Sequence, residues 1–486
     1  MSRDLSPLFN PKGVVIAGAS THPGKFGFVS LHNLLANGYE GNVYATNLEA
    51  ENVLGVQTVG SLDEIPDGAA DLVFVCTPGK VVPGLLRQAA AKGIKAAFIT
   101  SAGFKEAGDD GAQAERELVA LAEELGMVIA GPNGQGVIST PVNMCAQIVA
   151  PYPPAGSIGV VSQSGNLVST FLNLSRASGV GVSRAISAGN AAMLDVSDYL
   201  EWFGTDDATS VALAYVEGLT DGRAFMDRVT SVAAQMPIVL VKGGASDEGS
   251  KAAASHTGSL ATNDRVFDGA IRQAGAVRAD GLEEAFDTAA TFATQPLPKG
   301  PRVAVVTTVG GWGVLAADAI SGSRLELADL PQDLFDDIAK LVPPRWSRNN
   351  PIDIAGGETR DTVPDILTIV ASHPAIDAVL FLGIGIQSNQ ARLQREGGFY
   401  PDYGLERIVA YHERQDTRYA EAAAEASETS GKPVLIATEF AVADPNNPGP
   451  ETVRATGKYC YPSASRAVAA LAHTWDYAQR RQRRSN

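Results

Sequence analysis

Short apolar runs rich in β-branched residues alternate along most of the chain with stretches whose apolar positions recur at helical spacing. Such alternation predicts parallel sheets covered by helices on both faces. The first unit reads Val14-Val15-Ile16-Ala17, then a turn of small residues at Gly18-Ala19-Ser20, then a helix through Leu31, Leu34 and Leu35. Further strands are expected at residues 42–45, 71–75, 96–99 and 127–129, which together make a doubly wound, Rossmann-like domain. The proline-rich stretch 151–156 interrupts the pattern, and a second series starts with Ile158-Gly159-Val160-Val161. Its later strands are expected at 211–216 and 237–241. A second break at 295–301 precedes the strand Val303-Ala304-Val305-Val306. The expected organisation is therefore three α/β domains at 1–150, 151–294 and 295–486. Three times a strand runs into a turn of small residues and a helix, which is an architectural repeat and carries little information about common ligands.

Composition supports this division. A chain of 486 residues exceeds one ordinary core, and 45% hydrophobic with 19% charged residues suits a soluble α/β protein. The formal charge of -16 argues against nucleic acid as a partner, because no basic surface offsets phosphate repulsion. The first thirteen residues hold no apolar leader core, and no stretch approaches the ~20 apolar residues of a membrane span, so a cytoplasmic location without membrane attachment is expected. Cys76, Cys145 and Cys460 have no paired spacing, and no metal site, redox motif or disulfide framework is read from them. The run Arg480-Arg481-Gln482-Arg483-Arg484 reads as a solvated helix end.

In open α/β sheets ligands collect at the carboxyl ends of strands, so the residues just after each strand carry the chemistry. Gly18-Ala19-Ser20 follows the first strand and can turn backbone N–H groups toward a phosphate. The run is not GxGxxG, and Ala45-Thr46-Asn47 ends the second strand where a nicotinamide dinucleotide site wants an acid. Lys25 adds a cation for a phosphate-rich ligand or is an exposed helix-start lysine; Thr77, Pro78 and Ser101 complete a pocket edge poor in charge. These features favour a nucleotide-containing ligand other than NAD. In the second series, Ser162, Ser164 and Gly165 open a helix whose unpaired N–H groups and dipole can hold an anion, although Ser162 can equally be a simple cap. Glu217 ends a strand before Gly218, where it can accept the Nδ1–H of a histidine, or be a solvated glutamate. Within Ala254-Ser255-His256-Thr257-Gly258-Ser259-Leu260 a lone histidine sits among small and hydroxylated residues. There is room for a phosphoryl group on its ring, or for no more than a capped helix start with an exposed histidine.

Taken in order, these segments resemble the α subunit of the nucleoside-diphosphate-forming acyl-CoA synthetases, the superfamily that contains ADP-forming acetate–CoA ligase and succinyl-CoA synthetase. The resemblance runs through Gly18-Ala19-Ser20 to Gly27, Thr100-Ser101-Ala102-Gly103-Phe104, Gly131-Pro132-Asn133, Ser162 to Gly165, Ser187-Ala188-Gly189-Asn190, Glu217 and Ser255-His256-Thr257-Gly258. It continues at Gly310-Gly311-Trp312-Gly313 and Asn350-Pro351-Ile352-Asp353. It implies a Rossmann-like CoA-binding domain followed by two flavodoxin-like, succinyl-CoA synthetase-like α/β domains. It also implies interconversion of carboxylate, CoA and ATP with acyl-CoA, ADP and phosphate.

Carried over by residue, His256 becomes the phosphohistidine and Glu217 its orienting carboxylate, with Ser162, Ser164 and Gly165 cradling phosphate. Gly18, Ala19, Ser20, Lys25, Thr77, Pro78 and Ser101 face CoA, and Asn133, Gly134 and Gln135 face the acyl substrate. Two places depart from the family pattern: Gly134-Gln135 follows Gly131-Pro132-Asn133 where a cysteine is usual, and Trp312 replaces a usual proline. Nothing after Gly300 reads as an ATP-grasp module, so ATP or ADP with Mg²⁺ is expected on a separate ATP-grasp β subunit, in an α2β2 assembly or a homodimer, acting on a small carboxylate. The same absence favours the alternative of a non-catalytic CoA-binding or regulatory protein that retains the fold.

Overall fold

The computed structural model describes residues 3–149, 151–246, 248–249, 251, 264–354 and 361–485; His256 lies outside the described residues. In chain order the strands are β1 (Gly13–Ala17), β2 (Asn42–Thr46), β3 (Asn52–Val53), β4 (Val56–Gln57), β5 (Leu72–Val75), β6 (Ala96–Ile99) and β7 (Val128–Ala130). Next come β8 (Gly136–Ser139), β9 (Met144–Gln147), β10 (Ala155–Ser162), β11 (Val182–Ser187), β12 (Val211–Val216), β13 (Ile238–Lys242) and β14 (Val277–Arg278). The last six are β15 (Arg302–Thr307), β16 (Glu326–Leu327), β17 (Ile352–Asp353), β18 (Ala378–Leu382), β19 (Val434–Ala437) and β20 (Cys460–Tyr461).

The first sheet is parallel in the order β2-β1-β5-β6-β7. Every residue of β1, β5 and β6 is buried, which is why these strands read as unbroken apolar runs instead of alternating ones. Phe74 and Phe98 stack across β5 and β6 with ring centroids 5.1 Å apart. The chain leaves β1 for β2 on one side and then crosses to β5 on the other. This reversal opens a crevice at the carboxyl ends of β1 and β5, the place where such sheets bind ligands.

The same winding recurs twice. The second sheet runs β14-β13-β12-β10-β11-β8-β9, with β10 to β14 parallel and its crevice between β10 and β12. Its last two strands are antiparallel and meet through Thr140–Asn143, where Asn143 takes a left-handed φ of 52°. The third is parallel in the order β16-β15-β18-β19-β20, with β17 on β15. The three strand-to-helix repeats seen in the sequence thus begin three sheets of one winding order. The chain forms two compact units, one of Met1–Ala177 with Gly181–Ala285, the other of Ser178–Val180 with Phe286–Asn486. The first two sheets therefore share a unit.

Within the first unit a buried ion pair fixes the end of the second sheet. Arg184 on β11 is 3% exposed and donates through Nε and Nη2 to the two carboxylate oxygens of Asp206, at 2.9 and 3.0 Å. Its Nη1 donates to Asn10 Oδ1 and to Ser139 Oγ. Burial by itself raises the Asp206 carboxyl, yet the hydrogen bonds from Arg184 and Thr209 outweigh it and hold the group below the usual carboxylate range. A depressed folded pKa contributes stability that is complete above the unfolded value and lost only as pH falls through the folded one. The contribution therefore persists at neutral pH and disappears in strong acid. Asp206→Ala leaves a buried guanidinium without its carboxylate and is expected to lower the unfolding free energy by about 3–5 kcal/mol at pH 7, measured by denaturant titration.

Candidate active site

The crevice of the first sheet begins at Gly18, whose φ of 89° is open to glycine at no steric cost. A Cβ there would also lie 2.7 Å from Thr77 Cγ2. Gly27, on the first turn of the helix Phe26–Ala36, packs its Cα against the Gly18 carbonyl, so this helix starts directly over the turn. The Gly18 N–H is donated to Thr46 Oγ1 at 3.2 Å and the Ala19 N–H to the Thr46 carbonyl at 2.8 Å. Ser20 Oγ accepts the His22 N–H. These three residues form the turn, while Lys25 and Phe26 stand on the cavity wall.

The next strands supply the adjoining wall. Ser101 Oγ donates to the Thr77 carbonyl at 2.5 Å and Thr100 Oγ1 to the Val75 carbonyl at 2.8 Å, which ties the turns after β5 and β6 together. Thr77 Oγ1 is buried without a hydrogen-bond partner. The turn after β7 is pinned to the same place, since the Asn133 N–H reaches the Ser101 carbonyl at 3.0 Å and Asn133 holds a φ of 60°. Gly134 follows, and a Cβ there would meet the Phe98 ring at 2.6 Å. Asn190, from the loop after β11, donates to Glu106 Oε2 at 2.6 Å and Glu115 Oε2 at 2.7 Å. Burial raises the Glu106 carboxyl, but the hydrogen bonds from Asn190 and from the Gly103 and Phe104 backbone bring it below its ordinary value.

Opposite lies the crevice of the second sheet. After β10 the Ser162 hydroxyl takes the Ser164 N–H at 3.0 Å and donates to the Ser164 carbonyl at 2.7 Å, closing a tight turn into the helix Gly165–Ser178. Gln135 lies over the first residue of that helix: a Cβ on Gly165 would collide with its side chain. Its Nε2 donates to Asn166 Oδ1 at 3.2 Å. Gln163 bridges to β12, its Oε1 accepting the Glu217 and Gly218 N–H groups at 2.5 and 3.2 Å. Glu217 is 8% exposed.

A single cavity of about 980 Å³ joins these walls inside the first unit. Lys25, Thr77, Pro78, Ser101, Asn133, Gly134, Gln135, Ser164, Gly165 and Glu217 all line it; Gly18, Ala19, Ser20 and Ser162 do not. Phe26, Lys105, Glu106, Gln163, Asn166 and Asn190 line it as well, although the sequence assigned none of them a site role. Such a volume lies in the range of sites that enclose an extended organic ligand. Lys25 and Lys105 set two ammonium groups on the wall formed by the first sheet, which suits phosphates. Among the described residues no group of three or more His, Cys, Asp or Glu is arranged to hold a metal ion. β13 ends at Lys242, and the helix Asp264–Ala274 begins at Asp264. These two residues are paired at 3.8 Å, and Arg278 contacts both oxygens of Asp264 at 2.8 and 2.9 Å.

Comparison with known proteins adds three kinds of likeness. Residues 12–140 match the family described as CoA binding domain, 155–292 the succinyl-CoA ligase like flavodoxin domain, and 303–386 the Ligase-CoA domain. The α subunit of acetate–CoA ligase [ADP-forming] I from Pyrococcus furiosus is 37% identical over 78% of this chain and 82% of its own length. Acetate–CoA ligase [ADP-forming] I from Archaeoglobus fulgidus is 39% identical over 77% of this chain, a match that spans 54% of that longer protein. The dinucleotide-forming acetyl-coenzyme A synthetase 1 from Ca. Korarchaeum cryptofilum, solved with phosphate and ADP, superposes with a TM-score of 0.84 at 30% identity. That likeness covers 99% of this chain and 98% of the other.

Proposed function

The chain belongs to the family of ADP-forming acetate–CoA ligases, and from that premise we propose that it is the α subunit of an enzyme interconverting carboxylate, CoA and ATP with acyl-CoA, ADP and phosphate. The observation that carries this reading is one cavity bounded on one side by Lys25, Thr77 and Ser101 and on the other by the Ser164-Gly165 helix start and Glu217. A CoA site on the first sheet and a phosphoryl-transfer site on the second need that continuity, because the acyl phosphate made at one must be attacked by the thiol held at the other.

In the synthetic direction a ring nitrogen of His256 attacks the γ-phosphorus of ATP and the bond to ADP breaks. A carboxylate oxygen of the substrate then takes the phosphoryl group from the histidine. The CoA sulfur, having lost its proton, attacks the carbonyl carbon, and phosphate leaves with the acyl–oxygen bonding electrons. Glu217 orients the imidazole by accepting its Nδ1–H and balances the positive charge that builds on the ring. The unpaired N–H groups at the start of the helix Gly165–Ser178 favour phosphate oxygens there. Asn133, Gly134 and Gln135 border the carboxylate. Mg²⁺, which would neutralise charge on the nucleotide phosphates, is assigned to an ATP-grasp β subunit, in an α2β2 assembly or a homodimer.

On this reading residues 1–150 bind CoA, 151–294 carry the phosphohistidine, and 295–486 form the third domain. The work is assigned to the cytoplasm, where CoA and ATP are supplied; no described helix is long and apolar enough to cross a membrane. Gly18, Ala19 and Ser20 are assigned to the CoA site as its turn, in which the N–H groups of Gly18 and Ala19 are engaged by Thr46.

Calorimetry tests the ligand assignment. CoA is expected to bind the chain while NADH binds far more weakly, and Lys25→Ala is expected to weaken CoA about tenfold, the worth of one charge-assisted contact. NADH binding tighter than CoA would overturn the assignment. CoA binding without thioester formation from any carboxylate in the complete complex would favour a regulatory protein that retains the fold.

A further inference from the structure

Glu217 is held from two directions by residues that the mechanism above leaves without a part. Tyr215 lies on β12 and Glu217 immediately follows its last residue, Val216, so by the alternation of the strand the two side chains leave the same face. The Tyr215 hydroxyl and the Glu217 side chain meet at Gly243, which brings the hydroxyl within reach of a hydrogen bond to the carboxylate. Burial, and after it the charge of Glu217 and this hydrogen bond, push the hydroxyl up to about 12, so it remains a donor across the neutral range.

Gln163 works on the backbone. Its N–H reaches the Tyr215 carbonyl at 3.3 Å, its Oε1 takes the Glu217 and Gly218 N–H groups, and its Nε2 donates to the Gly218 carbonyl at 3.0 Å. The side-chain amide therefore continues the β10–β12 pairing past the point where Ser162 turns the main chain into the helix. Gly243 leaves the space for the arrangement. A Cβ there would collide with the Tyr215 hydroxyl and stand 3.4 Å from Glu217 Cγ.

Resting on the assignment of Glu217 as the carboxylate that orients the phosphoryl-carrying histidine, we propose that Tyr215 and Gln163 are positioning residues that fix Glu217 for that task. Tyr215 acts through the carboxylate and Gln163 through the strand-end backbone. Loss of either contact widens the range of positions open to the carboxylate, and each labelling event must first restore the productive one.

The test uses the chain with its nucleotide-binding partner subunit, Mg²⁺ and γ-labelled ATP, with rapid quenching to follow base-stable label on the chain. Tyr215→Phe is expected to slow labelling about tenfold to a hundredfold at saturating ATP, the effect of one lost hydrogen bond to a charged group. The KM for ATP, CoA binding and the thermal midpoint are expected to stay unchanged. In a Glu217→Ala background, where no side chain is left to position, the Tyr215→Phe effect should vanish, because the two residues act as a unit. Gln163→Leu supplies an independent slow variant with the same dependence on Glu217. Wild-type labelling by Tyr215→Phe, or losses that multiply in the double variant, would overturn the proposal. Wild-type labelling by Glu217→Gln alone would instead remove the assignment on which it rests.

Discussion

The His256→Ala chain, mixed with its nucleotide-binding partner, Mg²⁺, ATP, CoA and substrate carboxylate, is expected to take up no acid-labile phosphate and to form no thioester, while binding CoA as the wild type does. The nitrogen that makes and breaks the bond to phosphorus is gone, and removal of a covalent nucleophile costs at least about 10⁴-fold. The CoA site proposed on the first sheet contains none of the atoms removed and is untouched. Glu217→Gln separates the covalent role from the electrostatic one. An amide oxygen still accepts the Nδ1 hydrogen bond, but it no longer balances the charge that develops on the imidazole during attack. Labelling by this variant is expected to fall by about 10²–10³ without disappearing, as when one preorganised electrostatic contact is removed. Quench-flow labelling on both variants checks the pair of outcomes. Full turnover by His256→Ala would refute the covalent role.

The second large effect concerns the partner. The purified chain is expected to show no ADP-dependent consumption of acyl-CoA and no ATP-dependent formation of it, and both activities should appear on adding an ATP-grasp subunit. Phosphoryl transfer needs cations clamped on the β- and γ-phosphates and a coordinated divalent metal. Among the described residues no cluster of metal-binding side chains is present. The carboxyl ends of the third sheet offer Thr308, Gly310, Trp312 and Asp353, and the departure at Trp312 packs edge-on against Phe440 at 5.9 Å. ADP release measured on the isolated chain, at a purity that excludes a partner, decides the matter; sustained turnover would mean that the third sheet holds a nucleotide site of its own.

Local signals in the sequence were sufficient for most of the first sheet and for the opening strand of the third, where buried strands are unbroken apolar runs; β11, buried throughout, was not read because it carries Ser183, Arg184 and Ser187. The pair β8–β9 was missed for another reason. Gly136–Ser139 and Met144–Gln147 are four-residue strands joined by a turn with no glycine, and the left-handed residue that closes it is Asn143. Glu217 stood out as an acid before a glycine at a strand end, and Tyr215 two positions earlier could have been read with it from the alternation of faces. Gln163 could not. Its partners lie 54 and 55 positions away, and only the winding of the second sheet brings them within reach.

The same limit explains the amide network around Asn190, whose partners Asn133, Glu115 and Glu106 are 57, 75 and 84 positions distant. It also explains the N–H groups of Gly18 and Ala19. A strand, a glycine and a serine suggest a phosphate turn locally, while the Thr46 that takes those two donors belongs to the neighbouring strand. Residues that bind through backbone geometry are visible in sequence only as small residues; what occupies their hydrogen bonds is a property of the sheet.

Mapping the covalent phosphate tests the account most directly. The wild-type chain, incubated with its nucleotide-binding partner, Mg²⁺ and γ-labelled ATP, is expected to carry an acid-labile, base-stable label that fragmentation places on the peptide containing Ser255-His256-Thr257, with the phosphate on the imidazole. Adding carboxylate and CoA should discharge that label at the rate at which thioester appears. Label on Ser255 or Ser259, or an imidazole phosphate that persists when carboxylate and CoA are supplied, would contradict the assignment of His256 as the phosphoryl carrier.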